Sequence, residues 1–411
     1  MLAPFRRLTL RPSHLRSCLQ HLRCSIKQIG VKRVIYLDYN ATTPVDPEVQ
    51  RVMEPFFNER FGNTLAVSSP YGWEAQEAVE SCRRKIAGIL ACQPDELTFT
   101  SGATEANNWA LRGLVDFIRT TEGPQTPIHI LSSPVEHSSI LSPLRFLQEI
   151  GVTVEFLEVT KEASIRLEDL KAKIRPETRL VCAVWVNSEL GTLNPIREIA
   201  EICHHAQIPL LADATQALGK FPVSLAASPA DLVSFSAHKL YGPKGVGLLF
   251  HRRHGRKVQL RPLLYGGGHE EGLRSGTLNV PGIVGMAKAM ELADARLEEN
   301  RQCWLRLQKE LWDGLCSIDP GVRLNGPPLG QRSPTNLHVT FSSWTSQSVI
   351  PGLAISQGAA CNSANIEMSA VLRALNFTDA EAQRSFRISM GKPTTQDDIQ
   401  QAIRIVQKYV R

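Results

Sequence analysis

The stretch S-F-S-A-H-K-L-Y-G-P-K-G runs from Ser234 to Gly245. Its lead-in, "DLVSFS" (231–236), is a short apolar and β-branched run that reads as a buried strand. At the end of that strand the chain places Ser236, His238 and Lys239. It then leaves through Tyr241, Gly242, Pro243 and Gly245, which are turn residues. "GVGLLFHR" (245–252) follows at once, and so short a turn makes it an antiparallel strand. A lone lysine after a strand is most often a surface residue, so the neighbouring sequence has to decide what Lys239 is for.

Moving outward, the same pattern recurs. "ELTFTS" (96–101), "IHILSS" (128–133), "VTVEFLEV" (152–159), "RLVCAVWV" (179–186) and "PLLADAT" (209–215) are short apolar runs. Helical stretches separate most of them, at 103–118, 139–150, 166–174 and 196–206. Buried strands alternating with helices predict a mostly parallel sheet of seven strands covered on both faces. Residues 283–316 read as one long helix broken near its middle. It leads into a smaller α+β domain over about 298–411, with strands at 336–341 and 386–391 and a last helix at 394–410. The expected division is an N-terminal extension at 1–33, a large domain at 49–297, and a small domain built from 34–48 and 298–411.

The 411 residues carry a net charge of +6, with 43% apolar and 21% charged residues. That balance is globular, and the length calls for more than one core. Eight of the 46 basic residues fall within 1–37, where there is no acid, so the body holds 38 basic against 40 acidic residues. Nothing in that balance points to direct nucleic-acid binding, and the basic run "HRRHGRK" (251–257) reads as a solvated loop. No run is long and apolar enough for a transmembrane helix. The nine cysteines (18, 24, 82, 92, 182, 203, 303, 316 and 361) include no CxxC pair, which argues against a disulfide framework or a structural zinc. No resident metal is expected. A cytoplasmic location follows, with the mitochondrial matrix as the alternative if the acid-free, Arg-bearing residues 1–33 are a presequence.

In a parallel α/β sheet, ligands bind beyond the carboxyl ends of the strands. "TSGATEANN" sets Ala103 and Thr104 at a helix N-terminus, a site suited to phosphate. "SSPVEHSSI" sets His137 past one strand end, "ADATQALG" sets Asp213 and Gln216 past another, and "SFSAHK" sets Ser236, His238 and Lys239 past a third. Each has a bland explanation taken singly: an N-cap, a satisfied buried histidine, a strand-end serine. Together they supply what pyridoxal 5'-phosphate needs: an amine for a Schiff base, a carboxylate for the pyridine nitrogen, a flat group over the ring and donors for the phosphate.

These residues, with "YLDYNATTP" (36–44), "VNSELGT" (186–192) and "GGGHEEGLRSGTLNV" (266–280), resemble the cysteine desulfurases of the class V aminotransferase group, over roughly residues 34–411. The resemblance implies fold-type I, with Lys239 as the Schiff-base lysine, Asp213 on the pyridine nitrogen and His137 stacked on the ring. It places Gln216 on the phenolic oxygen, and Ala103, Thr104, Ser236 and His238 on the phosphate. Thr277 would reach the phosphate of a second subunit in a homodimer with shared sites. Asn187, also counted among the cofactor contacts, and Arg387 would hold the carboxylate of L-cysteine.

The second deciding stretch is "SQGAACNSANIEMSAVLRAL", with Cys361 among small residues. Breaking a C–S bond calls for a soft nucleophile able to accept sulfur, and a thiolate is the side chain suited to it. The resemblance makes Cys361 the catalytic sulfur carrier and a candidate transient iron–sulfur ligand. It gives alanine as the other product, and a sulfur acceptor, an iron–sulfur scaffold or a tRNA-thiolation carrier, as the partner. Two departures stand out. "SSWTSQSVIPGLAISQ" (342–357) is short for the family, with Pro351 and Gly352 interrupting an expected helix, and "FGNTLAVSSPYG" (61–72) strays from the usual wording. A selenocysteine lyase of the same fold, or an inactive sulfur-transfer partner, is the alternative.

Overall fold

The computed structural model describes residues 34–344, 350–357 and 368–410. After β1 (Ile35–Tyr36), the large sheet is built from β2 (Leu97–Thr100), β3 (His129–Ser132), β4 (Thr153–Phe156), β5 (Thr178–Val184), β6 (Leu210–Asp213), β7 (Leu232–Ser236) and β8 (Gly247–His251). Their order is β2-β8-β7-β6-β5-β3-β4. Strands β3 to β7 run parallel to their neighbours in that group. Strand β8 is antiparallel to both β2 and β7, as the short turn after Lys239 requires. The chain is thus α/β, with the expected mostly parallel seven-stranded sheet.

Side chains alternate across this sheet, which explains why its strands read as continuous apolar runs. In β5, Val181 and Ala183 enter one core with helices Pro70–Leu90, Ile196–His205 and Val280–Ala295. Leu180 and Cys182 enter the opposite core with helices Ala103–Glu122 and Ser138–Glu149. The predicted long helix is two helices, Val280–Ala295 and Leu297–Ile318, divided at Arg296 (φ −114°, ψ 14°).

The second sheet uses β9 (Arg323–Leu324), β10 (Asn336–Thr340), β12 (Ser356–Gln357) and β13 (Ser385–Ser389), while β11 (Leu353–Ala354) pairs with β1. Where a helix interrupted by Pro351 and Gly352 was expected, the chain turns and forms β11 and β12. Gly352 takes φ +84°, a left-handed value that ends any helix. Leu337, Val339, Phe386 and Ile388 pack with Leu307, Leu311 and Leu315 in a separate core. The basic run departs from a solvated loop. His251 is buried at the end of β8, and Arg252 and Arg256 come within 4.0 and 3.7 Å of the fully buried Asp231. A carboxylate taken out of water draws cations to it. Among the described residues no helix is long and apolar enough to cross a membrane.

Candidate active site

The parallel strands end on one side of the sheet, and the polar residues after them gather there. Strand β6 ends on Asp213 and β7 on Ser236, with Asp213 paired beside Ser234. Asp213 is buried and faces donors: Asn107 Nδ2 at 3.0 Å from Oδ2 and the Thr215 amide at 3.0 Å from Oδ1. His137 is the N-cap of helix Ser138–Glu149; its Nδ1 accepts from the Ser139 amide at 3.1 Å and lies 2.9 Å from Ser139 Oγ. Burial pushes the adjacent Glu136 carboxyl up to about 8, and the charge of Asp213 adds to the effect.

The N-terminus of helix Ala103–Glu122 lies beside Ser236. Gly102 precedes it with φ +153°, and no side chain caps it. A Cβ on Gly102 would stand 3.7 Å from Ser236 Oγ, and one on Gly247 would fall 2.6 Å from Gly102 Cα and 2.5 Å from Phe235 O. Glycine at 247 is therefore what lets the helix terminus approach the ends of β7 and β8. Ala103 and Thr104 offer their amides here, where the helix dipole is positive.

Lys239 ends the tight turn Ala237–Lys239. Its Nζ donates to the carbonyls of Asn40 at 2.7 Å and Ala41 at 2.6 Å. Those carbonyls belong to a strap formed by residues 38–46. The Thr43 amide and hydroxyl both bond His238 O at 3.0 Å, and Thr42 Oγ1 lies 3.0 Å from His238 Nδ1. Burial, together with the nearby Lys239 and Lys244 charges, brings His238 down to about 4, so its imidazole is neutral at physiological pH. Gln216 Nε2 donates to Asn40 O at 2.8 Å, and Gln216 Oε1 accepts from Lys220 Nζ.

Lys220 is buried, and burial, with the charges of Lys239 and Arg387, brings it down to about 7. An unfolded chain holds that proton to about pH 10. Folding therefore carries the full cost of the buried charge below pH 7, and the cost is relieved as pH rises from about 7 towards 10. Lys220→Met is expected to raise stability over the parent at pH 6, with the advantage shrinking by a few kcal/mol by pH 9.5, each tenfold change in proton affinity being worth about 1.4 kcal/mol. Denaturant titrations at the two pH values read the difference.

Asn187 and Arg387 meet around Ser188. The Asn187 side chain is largely engaged by backbone: Nδ2 bonds Val135 O at 3.0 Å, and Oδ1 accepts from the Glu189 and Leu190 amides at 2.9 Å each. Arg387 is buried on β13; Nη2 reaches Asp38 Oδ1 at 2.8 Å and Ser356 Oγ at 3.1 Å, and Nη1 lies 3.4 Å from Ser188 O. Glu189 completes this corner: burial raises its carboxyl, against the pull of Ser369, Arg387 and His137. Thr277 is exposed on the loop after Arg274, which itself pairs with Glu105 at 2.7 Å. The contacts around it do not join it to the other site residues. Cys361 lies outside the described residues.

Asn40, Asn107, Ser139 and Lys220 were not picked out from sequence as site residues. "YLDYNATTP" and "TEANN" held the first two in plain view, and Lys220 falls four residues after Gln216, but no rule of composition ties a remote strap to a lysine turn. The set fits pyridoxal phosphate. Asp213 has donors around it and can take another, and among the described residues the helix terminus is uncapped and Thr215 Oγ1 and Ser234 Oγ are buried without hydrogen-bond partners.

Residues 35–402 match the family Aminotransferase class-V. A protein of Neisseria meningitidis serogroup C (strain 053442) named Cysteine desulfurase IscS is 43% identical over 383 residues, covering 92% of this chain and 93% of the relative. One of the same name from Acinetobacter baumannii (strain AYE) is 42% identical over 386 residues, with the same shares covered. Among solved structures, a NifS-like protein superposes with a TM-score of 0.83 at 34% identity, covering 91% of this chain and 98% of that one. A structure described as SspA in complex with cysteine gives 0.74 at 34% identity, covering 86% and 98%. With matches running nearly end to end and the lysine, aspartate and histidine all set beyond the ends of parallel strands of one sheet, the chain belongs to the class V aminotransferase family and, within it, to the cysteine desulfurases.

Proposed function

We propose that this chain takes the sulfur of L-cysteine onto Cys361, releases L-alanine, and passes the sulfur to an acceptor protein, an iron–sulfur cluster scaffold first among them. The observation that carries the reading is the seat of Lys239: its amine is held by two backbone carbonyls at the end of β7, next to the strand that ends on Asp213. The Lys239 amine would hold pyridoxal phosphate, which would supply an electron sink for charge that develops at the substrate carbon. Ala103, Thr104, Ser236 and His238 would hold its phosphate, Asp213 its ring nitrogen, Gln216 its phenolic oxygen, and His137 its ring.

Asn187 and Arg387 orient the substrate carboxylate. The Asn187 amide has one N–H left to offer, and the Arg387 fork is braced by Asp38 and Ser356. Lys239 Nζ takes the proton from the substrate Cα. Cys361 Sγ then bonds the substrate sulfur as the C–S bond breaks, so that cysteine and a thiol become alanine and a persulfide. Burial raises the thiols of Cys82, Cys92, Cys182, Cys203 and Cys316, which leaves these five poor sulfur carriers.

A homodimer with Thr277 reaching the neighbouring site belongs to the same reading. The exposed Phe61, Val67, Tyr71, Trp73 and Tyr265 are apolar surface suited to such a contact. So does the division into a large domain at 49–297 and a small one at 34–48 with 298–411. The location is the cytoplasm, or the mitochondrial matrix if residues 1–33, which lie outside the described residues, direct it there. The test is Cys361→Ala assayed for alanine and sulfide with cysteine and a reductant. Both are expected to fall to background while the cofactor still binds, and unchanged release would remove Cys361 from the reaction.

A further inference from the structure

Asp213 and His137 are joined by two side chains with no assigned role, and the protons between them can be placed. Asn107 Nδ2 lies 3.0 Å from Asp213 Oδ2 and 2.9 Å from Ser139 Oγ. An amide nitrogen has two protons, and a carboxylate can only accept. Turning the amide over would set Asn107 Oδ1 against the carboxylate, acceptor to acceptor. The nitrogen therefore faces Asp213 with one proton and Ser139 with the other, and Asn107 Oδ1 is buried with no hydrogen-bond partner among the described residues.

Ser139 Oγ, now an acceptor from Asn107, has one proton of its own. Its other neighbour is His137 Nδ1 at 2.9 Å, and the Ser139 backbone N–H points at the same nitrogen from 3.1 Å. A proton on Nδ1 would meet that N–H head-on. Nδ1 faces two donors, so the imidazole proton sits on Nε2.

We infer that Asn107 and Ser139 are positioning residues that lock His137 as the tautomer protonated on Nε2, with the charge of Asp213 setting the direction of the whole chain. Any atom that faces Nε2 meets an N–H donor. The consequence for catalysis rests on the placement of His137 over the cofactor, but the tautomer itself does not. The two groups named for opposite parts of the ring, its nitrogen and its face, then share one hydrogen-bonded circuit of three short links.

The experiment is long-range proton–nitrogen NMR on the full chain labelled with 15N-histidine, with and without pyridoxal phosphate. His137 is assigned by the signal lost in His137→Gln. The expected spectrum has an unprotonated-type shift at Nδ1 and a protonated-type shift at Nε2. In Ser139→Ala, where the backbone N–H of residue 139 is left as the remaining donor to Nδ1, and in Asn107→Leu, where the hydroxyl loses its fixed donor, the two shifts should move part of the way towards each other, and Ser139→Thr, which keeps the hydroxyl, should move them back. A protonated Nδ1 in the parent chain, which needs no variant to fold, would overturn the inference, as would identical His137 shifts in the parent, Asn107→Leu and Ser139→Ala. Failure of the desulfurase reading has a separate signature, no alanine from cysteine whatever the imidazole spectrum.

Discussion

Lys239→Ala is expected to lower cysteine turnover by about 10³-fold or more, the scale at which loss of a positioned acid–base group is felt, and to abolish the visible absorbance of the loaded protein. The side chain has two duties in the proposed reaction, anchoring the cofactor and moving the Cα proton, and no neighbour can take over both. Lys220 is the nearest rival amine; it is buried and committed to Gln216 Oε1. The fold should survive, because Lys239 bonds two carbonyls of a strap that is separately tied down through Thr43 and Asp46. Stopped-flow absorbance with an alanine assay reads both effects. Turnover within tenfold of the parent would rule out Lys239 as the reacting amine.

Asp213→Asn is expected to cost about 10²–10³-fold in kcat, as when one preorganised electrostatic partner is removed from a closed site. The replacement is nearly the same shape, but its NH2 must face one of the two donors, so the loss combines the charge with one hydrogen bond. Asp213 is buried at the end of β6 and receives two donors from this chain, the Asn107 amide and the Thr215 N–H. Without the negative charge, a ring nitrogen placed there would lose its proton and much of its capacity to store electrons. Pre-steady-state rates of substrate conversion, compared with cofactor affinity, separate this from weak binding. A variant that binds the cofactor less tightly but reacts at the parental rate would mean Asp213 only anchors.

The sheet could be read from the sequence because each strand is short, apolar and bounded by turn residues, and because helices separate the parallel ones. The positions of Asp213, Ser236 and Lys239 followed from the strand ends alone. What stayed hidden are contacts set by long-range packing. No local pattern announces that the carbonyls of Asn40 and Ala41 cradle an amine almost 200 positions later. At Pro351 and Gly352, read from the sequence as interrupting a helix, the turn residues and the long-range pairing of β11 with β1 act in the same direction. Lys220 carries no local signal of its role, and in the fold it is buried with Nζ 3.5 Å from Asn40 Oδ1 of the strap.

That strap also bears on the order in which the molecule can be finished. Asp38 pairs with Arg387 and the Asn40 amide with Ser389 Oγ, each across 349 positions, while β1 lies against β11. The seven-stranded sheet lies within residues 97–251 and can form while the ribosome is still at work. The roof over Lys239 can form only in part by then, since Thr43 and Asp46 bond His238 and Tyr241, whereas Asp38 and the Asn40 amide wait for Arg387 and Ser389, well beyond the sheet. A nascent chain therefore has its lysine turn only loosely roofed before residues 387–389 emerge, and the fully fastened seat for the vitamin-derived group is a late event.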